Sequence, residues 1–421
     1  MQLLFIFISI FGTVYYTYSY KRFDFFTFSF FSALIYFMPG FFGEVRDPYS
    51  FELIPLYYDC YYVFNLVLIT NILFSFLRNN KKEKIKQNDN KITDNKQLKI
   101  IAVLAIAGFI SSVLSHPYAY NGELNNKVLQ LEMLDKDGSQ FEIFWTFGSV
   151  LLVISSSILN RRIYLIIGLF LLGLDVLLGG NRSSTSFAVM GLVIIFLHSQ
   201  RKTICNILFA SKNIIRTFVL SGSLLVFFLI KPLMPFIVNL DLDTFLEIYE
   251  KSETNIFLDA ISTTSEPFLI QTTLSETLRR NVKTDFLNPL DIVANIVGGK
   301  DSFYPLLKTS NIYLDQRVLF PGLDYGTAYN MYAFFWSSGG WIFLFCFIIF
   351  HNILILMGCN LLDKSDGYFK AFIIFIFILW TFYFHRNDLW VQINLTKRVV
   401  LLYLIVQIIS YINFTISDDH S

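Results

Sequence analysis

Residues 330–357 read NMYAFFWSSGGWIFLFCFIIFHNILILM, a stretch without a single Asp, Glu, Lys or Arg. It exceeds the about 20 residues that a helix needs to cross a ~30 Å hydrocarbon layer. Lipid offers the backbone no hydrogen-bond partners, so such a run must be helical. Apolar runs recur at 2–20, 25–43, 56–77, 100–115, 141–160, 163–178, 187–199, 217–239, 371–384 and 399–413. The expected fold is an all-α, polytopic transmembrane helical bundle of about 11 spans.

Composition agrees. Hydrophobic residues make up 54% of the chain and charged residues 15%, against roughly 25% charge in soluble proteins. A net charge of +1 gives no bulk attraction to nucleic acid. The four cysteines, Cys60, Cys205, Cys346 and Cys359, form no CxxC pair or metal-ligand spacing, and the five histidines are dispersed, so neither a disulfide framework nor a metal site is expected. The 47 phenylalanines are expected mostly at lipid-facing positions.

Orientation follows from Lys and Arg, which collect on the cytoplasmic side. Residues 78–99, RNNKKEKIKQNDNKITDNKQLK, read as a disordered cytoplasmic loop. Alternation then puts Lys21/Arg22, Arg161/Arg162, Arg201/Lys202, Lys212/Arg216 and Lys364/Lys370 inside as well. The N-terminus is expected outside and uncleaved, because Met1 to Gly12 has no basic region, and the C-terminus inside. Three parts result: residues 1–239 with about eight spans, an acidic external loop 240–329, and residues 330–421 with about three spans. All five tryptophans lie near expected outer ends, where interfacial anchors belong. The external stretch 385–398, HRNDLWVQINLTKR, breaks the charge rule with Arg386, Lys397 and Arg398.

Three stretches could carry chemistry. GGNRSSTSFAVMG (179–191) is a tight external turn. Its Ser/Thr run starts a helix whose free N–H groups favour an anion, with Arg182 beside them. The alternative is an arginine that snorkels to the interface. PGLDYGTAYNMYAFFWSSGGW (321–341) is a Gly-rich re-entry into the span that follows the long loop. There Gly339 and Gly340 permit close approach of a backbone or ligand. His385-Arg386-Asn387-Asp388 places charge at an external helix end. Its plainer reading is a surface Arg–Asp pair. Within spans, Asp175 and Lys231 are ionisable residues at depth, both read as structural, Asp175 as a partner for Arg182. In the long loop Glu266, Glu276, Arg279, Arg280 and Arg317 stand out, and Asp241-Leu-Asp243 reads as a helix start rather than a metal-holding DxD.

On this layout, and on Gly180-Asn181-Arg182, Tyr332…Gly339-Gly340 and Arg386-Asn387-Asp388, the chain resembles the bacterial O-antigen and oligosaccharide repeat-unit polymerases of the Wzy type. One feature departs from some members: Gly191 and Gly326 follow Arg182 and Arg317 at a shorter spacing. The resemblance implies a multi-pass protein of the bacterial inner membrane, with the long loop in the periplasm. It implies glycosyl transfer in which donor and acceptor are both glycans on undecaprenyl diphosphate. Arg182 and Arg386, with Arg317 and Arg280 in reserve, would hold the diphosphate. Asp388, Glu266 or His385 would be the base. No cofactor or metal is implied; membrane lipid and a chain-length regulator are candidate partners. An O-antigen ligase is the nearest alternative reading, and a lipid-linked oligosaccharide flippase another. The flippase is expected to show internal repeats and a charged central cavity, neither of which is read here.

Overall fold

The computed structural model describes residues 1–50, 52–78, 91–115, 142–179, 182–200, 202–208, 266–298, 319–323 and 329–418. The expected span 217–239, together with Lys231, Asp241, Asp243 and Arg317, lies outside the described residues, as does the side chain of Arg182.

The described chain is mostly helical. Helix α1 (Gln2–Val14) continues as a π-helical turn over Tyr15–Ser19. It is followed by α2 (Phe25–Tyr36), the short α3 (Pro39–Phe42), a hairpin of β1 (Glu44–Arg46) and β2 (Leu53–Pro55), and α4 (Cys60–Phe76). Then come α5 (Lys91–Ser115), α6 (Glu142–Ile158), α7 (Arg162–Gly179), α8 (Arg182–Gln200) and the short α9 (Ile204–Leu208). The C-terminal part holds α10 (Glu266–Arg279), α11 (Asn288–Gly298), α12 (Met331–Lys364), α13 (Gly367–Thr381) and α14 (Leu389–Asp418). Among the described residues six helical segments are long and apolar enough to cross a membrane: Gln2–Ser19, Asp94–Ser115, Ser183–Gln200, Met331–Lys364, Gly367–Arg386 and Leu389–Ile412. Phe25–Tyr36, Cys60–Phe76 and Glu142–Ile158 are shorter apolar helices. This is the architecture of a multi-pass helical membrane protein.

Four features differ from the sequence expectation. First, the chain is not purely helical. β1 and β2 pair antiparallel with Val45 opposite Ile54, because Gly43 ends α3 with a φ of 76° and Asp47 accepts the N–H groups of Tyr49 and Ser50 in a side-chain turn. Second, α5 begins at Lys91, so the last turns of the Lys-rich segment are helix rather than loop. Third, phenylalanine is not confined to lipid-facing positions: Phe5, Phe25, Phe26, Phe30, Phe37 and Phe64 are fully buried. Without a hydrophobic drive between helices in lipid, contact energy comes from close packing, and ring volume supplies it. Fourth, Trp145 and Trp336 are buried; the Trp145 indole donates to the Leu171 carbonyl at 3.1 Å.

The chain divides into two compact units. The first comprises 1–78, 200–354 and 381–391. Here Asp24 caps α2, accepting the N–H groups of Phe26 and Thr27, and makes a buried ion pair with Arg78. Helix α10 is polar yet buried. Thr272 and Thr277 return their hydroxyls to carbonyls of the same helix, and Gln271 donates to the Tyr36 carbonyl at 3.1 Å, so its burial leaves these groups satisfied. The second unit comprises 79–199, 355–380 and 392–421. Asp175 is buried in α7 and accepts the Ser184 hydroxyl of α8. At another point Gly367 starts α13 with a φ of 52°, and the Asp94 carboxylate lies against it, accepting the Tyr368 N–H at 3.3 Å.

A side chain at Gly367 would therefore meet both backbone strain and the Asp94 carboxylate. Gly367→Ala is expected to destabilise the solubilised protein by about 1–3 kcal/mol, seen as a lower thermal midpoint. Adding Asp94→Ala should recover part of the loss; an unchanged midpoint in the single variant contradicts the packing described.

Candidate functional site

Helix α13 ends at Thr381, and the chain tightens into a 3₁₀ turn over Tyr383–Arg386. An extended Asn387 follows, and Asp388 starts α14 by accepting the Val391 N–H at 2.8 Å. The motif His385–Asp388 thus occupies the short link between two membrane-length helices, where the backbone ladder is interrupted and side chains take over.

Within this link Arg386 reaches Glu266, the first residue of α10, across 120 positions of sequence. Its two terminal nitrogens bond the two carboxylate oxygens, Nη2 to Oε1 at 2.7 Å and Nη1 to Oε2 at 3.1 Å. This fork-on-fork geometry fixes both groups. The guanidinium also lies 4.9 Å from the centre of the Tyr383 ring, within cation–π range. Both partners remain about one-third exposed. The carboxylate engages two of five guanidinium donors, so Arg386 retains N–H groups for a ligand.

His385 points the other way, into the protein. It is 1% exposed, stacked on Tyr36 at 5.1 Å, with Nδ1 3.3 Å from the Tyr332 hydroxyl. Tyr332 is positioned by Asn330, whose side-chain oxygen accepts the N–H groups of Tyr332 and Ala333 and so caps α12. Asn330 in turn lies 3.3 Å from the Gln271 oxygen. His385 is therefore part of a polar–aromatic core joining α2, α10 and α12. Asp388 is partly exposed. Burial raises its carboxyl above the ordinary aspartate pKa, and the backbone N–H groups it accepts pull it part of the way back.

Of the other expected residues, Arg280 is occupied, with Nε on Glu276 at 2.8 Å and Nη1 on the Leu319 carbonyl at 2.8 Å. Arg182 belongs to the second unit, as the first residue of α8. Glu266, Arg386, His385 and Asp388 are brought together; Arg280 is anchored separately. Sequence reasoning missed Tyr36, Tyr383, Gln271 and Asn330. Tyr383 could have been found from its place beside His385; the others lie far from the motif and carried no signal.

If the Glu266–Arg386 pair is a real coupling, Glu266→Gln and Arg386→Gln should each lower thermal stability, and the double variant should lose less than the sum. The expected coupling is about 1 kcal/mol, discounted for partial exposure. Additive losses would show that the two residues act independently. Compared against protein-family models, curated proteins and solved structures, the chain gives no match.

Proposed function

We propose that this chain polymerises lipid-linked oligosaccharide repeat units at the outer face of a bacterial inner membrane. In this reading it crosses the membrane about 11 times, with the N-terminus and residues 240–329 in the periplasm and the C-terminus in the cytoplasm. The reaction transfers a growing glycan from undecaprenyl diphosphate to a hydroxyl of a second lipid-linked repeat unit. The hydroxyl oxygen bonds to the anomeric carbon, the bond to the diphosphate oxygen breaks, and the hydroxyl proton passes to a base.

The observation that carries the reading is the Glu266–Arg386 pair: a partly exposed guanidinium with donors to spare, held at the junction of two membrane-length helices. Negative charge grows on the leaving diphosphate, and a pre-positioned cation lowers the barrier where that charge develops. Glu266 is a poor base while both its oxygens pair with Arg386. Buried His385 does not meet the acceptor. Asp388 is partly exposed, next but one to Arg386 in the chain, and its pKa is raised, which suits a proton acceptor. We assign it that role. Arg182, whose side chain lies outside the described residues, keeps its expected role in binding diphosphate. The expected topology is supported by side-by-side packing within the first unit. Thr272 of α10 bonds the Arg46 carbonyl, and Gln271 of α10 and His385 of the 383–388 link both contact Tyr36, so segments expected outside meet, as do Asp24 and Arg78, expected inside.

Three measurements test the reading. Reporter fusions at Lys91 and Asp285 should give opposite topology signals; like signals refute the orientation. In cells lacking the gene, single repeat units on lipid core are expected. Full-length polymer retained on undecaprenyl diphosphate would favour a ligase, and single units accumulating on the cytoplasmic side a flippase. Among variants at equal membrane abundance, Arg182→Ala, Arg386→Ala and Asp388→Asn should shorten or abolish the polymer. Arg386→Lys should be impaired about ten- to a hundredfold, because Lys keeps charge but not the fork. Asn caps a helix as well as Asp, so wild-type polymer from Asp388→Asn removes Asp388 as the base.

A further inference from the structure

Helix α12 is broken. Gly339 (φ −157°, ψ 20°) and Gly340 (φ 64°, ψ −154°) leave helical geometry, and the helix restarts at Trp341. The backbone at Gly340 is open to glycine and strained for any other residue. The segment after α10 is stitched to this break. The Thr284 N–H donates to the Ser337 carbonyl at 2.9 Å, and the Thr284 hydroxyl lies 3.2 Å from the hydroxyls of both Ser337 and Ser338. Lys283 comes to lie over the Trp336 ring, Nζ 3.5 Å from its centre, and a Cβ on Gly340 would stand 3.9 Å from the same nitrogen.

The break is rich in donors. Arg279 and Arg280 share the Glu276 carboxylate, and Asp285 spends an oxygen on the Leu287 N–H. Lys283 has no carboxylate partner among the described residues, and burial lowers its pKa. Trp336 is 6% exposed, and its indole N–H is buried with no acceptor among the described residues. The helix restarting at Trp341 adds N–H groups with no earlier turn to bond, the end that favours an anion. Beside them stands a belt of exposed aromatics: Trp341 meets Tyr62 edge-on at 6.2 Å, and the Tyr62 hydroxyl is 3.3 Å from that of Tyr58. Exposed Trp and Tyr of this kind sit at the level of lipid headgroups.

We propose that Lys283 and the Gly339–Gly340 break form a binding site for the phosphate group of a membrane lipid. The cation–π contact with Trp336 orients the ammonium; the phosphate oxygens accept from it and from the restarting helix. This site is separate from the Glu266–Arg386 pair and does not rest on the polymerase reading. The same chemistry is offered by a phospholipid headgroup and by an isoprenoid diphosphate.

The test uses the purified full chain in detergent, titrated with dioleoyl phosphatidylglycerol and, separately, with farnesyl diphosphate, and read by tryptophan fluorescence. Lys283 is exposed, so Lys283→Gln leaves the core intact, which an unchanged thermal midpoint checks. Binding of at least one probe is expected to weaken about tenfold in Lys283→Gln and to recover in Lys283→Arg. Dependence on Lys283 for phosphatidylglycerol identifies a headgroup site; dependence for farnesyl diphosphate identifies an isoprenoid diphosphate site. Equal affinity of wild type and Lys283→Gln for both probes, or binding of neither, overturns the proposal.

Discussion

The backbone of a membrane-crossing chain must satisfy its own N–H and C=O groups, and the rest of this structure depends on that constraint. Where the helical ladder is complete, as along the Trp341–Lys364 part of α12, side chains have little to do but pack. Where the ladder stops, polar side chains collect. Asp24 caps α2, Asn330 caps α12 and Asp388 caps α14, while Thr284 bonds the carbonyl exposed near the Gly339–Gly340 break. Each interruption frees backbone groups, and at each of these points a neighbouring side chain or backbone group meets some of them, so polar groups collect at helix ends among the described residues.

Packing between the ladders follows a second rule. Lipid tails are as apolar as the helices, so association gains little from transfer and much from fit. Gly12 brings α1 so close to α2 that a Cβ there would collide with the Phe30 ring. Phe37 stacks on Phe64 at 4.3 Å, and Phe335 on Phe347 at 3.9 Å. Polar α10 is accommodated in the same unit because its threonines bond within the helix and Gln271 finds the Tyr36 carbonyl; unsatisfied, these groups would cost about 1–3 kcal/mol each.

The membrane-length helices were legible because charge-free runs of that length have one stable form in lipid. Gly339-Gly340 was legible as a place of close approach, but the break in α12 was not, and the last helix begins at Leu389, well before the expected span at 399, so that Asp388 caps it. The hairpin was not: three-residue strands carry no periodicity, and its turn rests on Asp47 accepting two N–H groups. Nor was the Arg386–Glu266 pair, since nothing local in Arg386 distinguishes a partner 120 residues away from solvent. Nor were the surroundings of His385: the 3₁₀ turn sets it between Tyr36 and Tyr332 and leaves Arg386 partly exposed. Phenylalanine misled because a lipid-facing ring and a core ring have the same sequence signature.

The two clusters of positive charge in the first unit differ in a way that bears on what each can do. Arg386 is already answered: its carboxylate partner fixes its direction, and an incoming anion must share it with Glu266. Such a pair positions a cation without requiring a ligand to keep it there. Lys283 lies over a ring face, with no carboxylate partner among the described residues and with partial burial lowering its pKa. An anion arriving there meets no competing carboxylate among the described residues and favours the charged form. A cation already paired with a carboxylate and a cation lying on a ring face therefore offer an anion two different environments within the first unit.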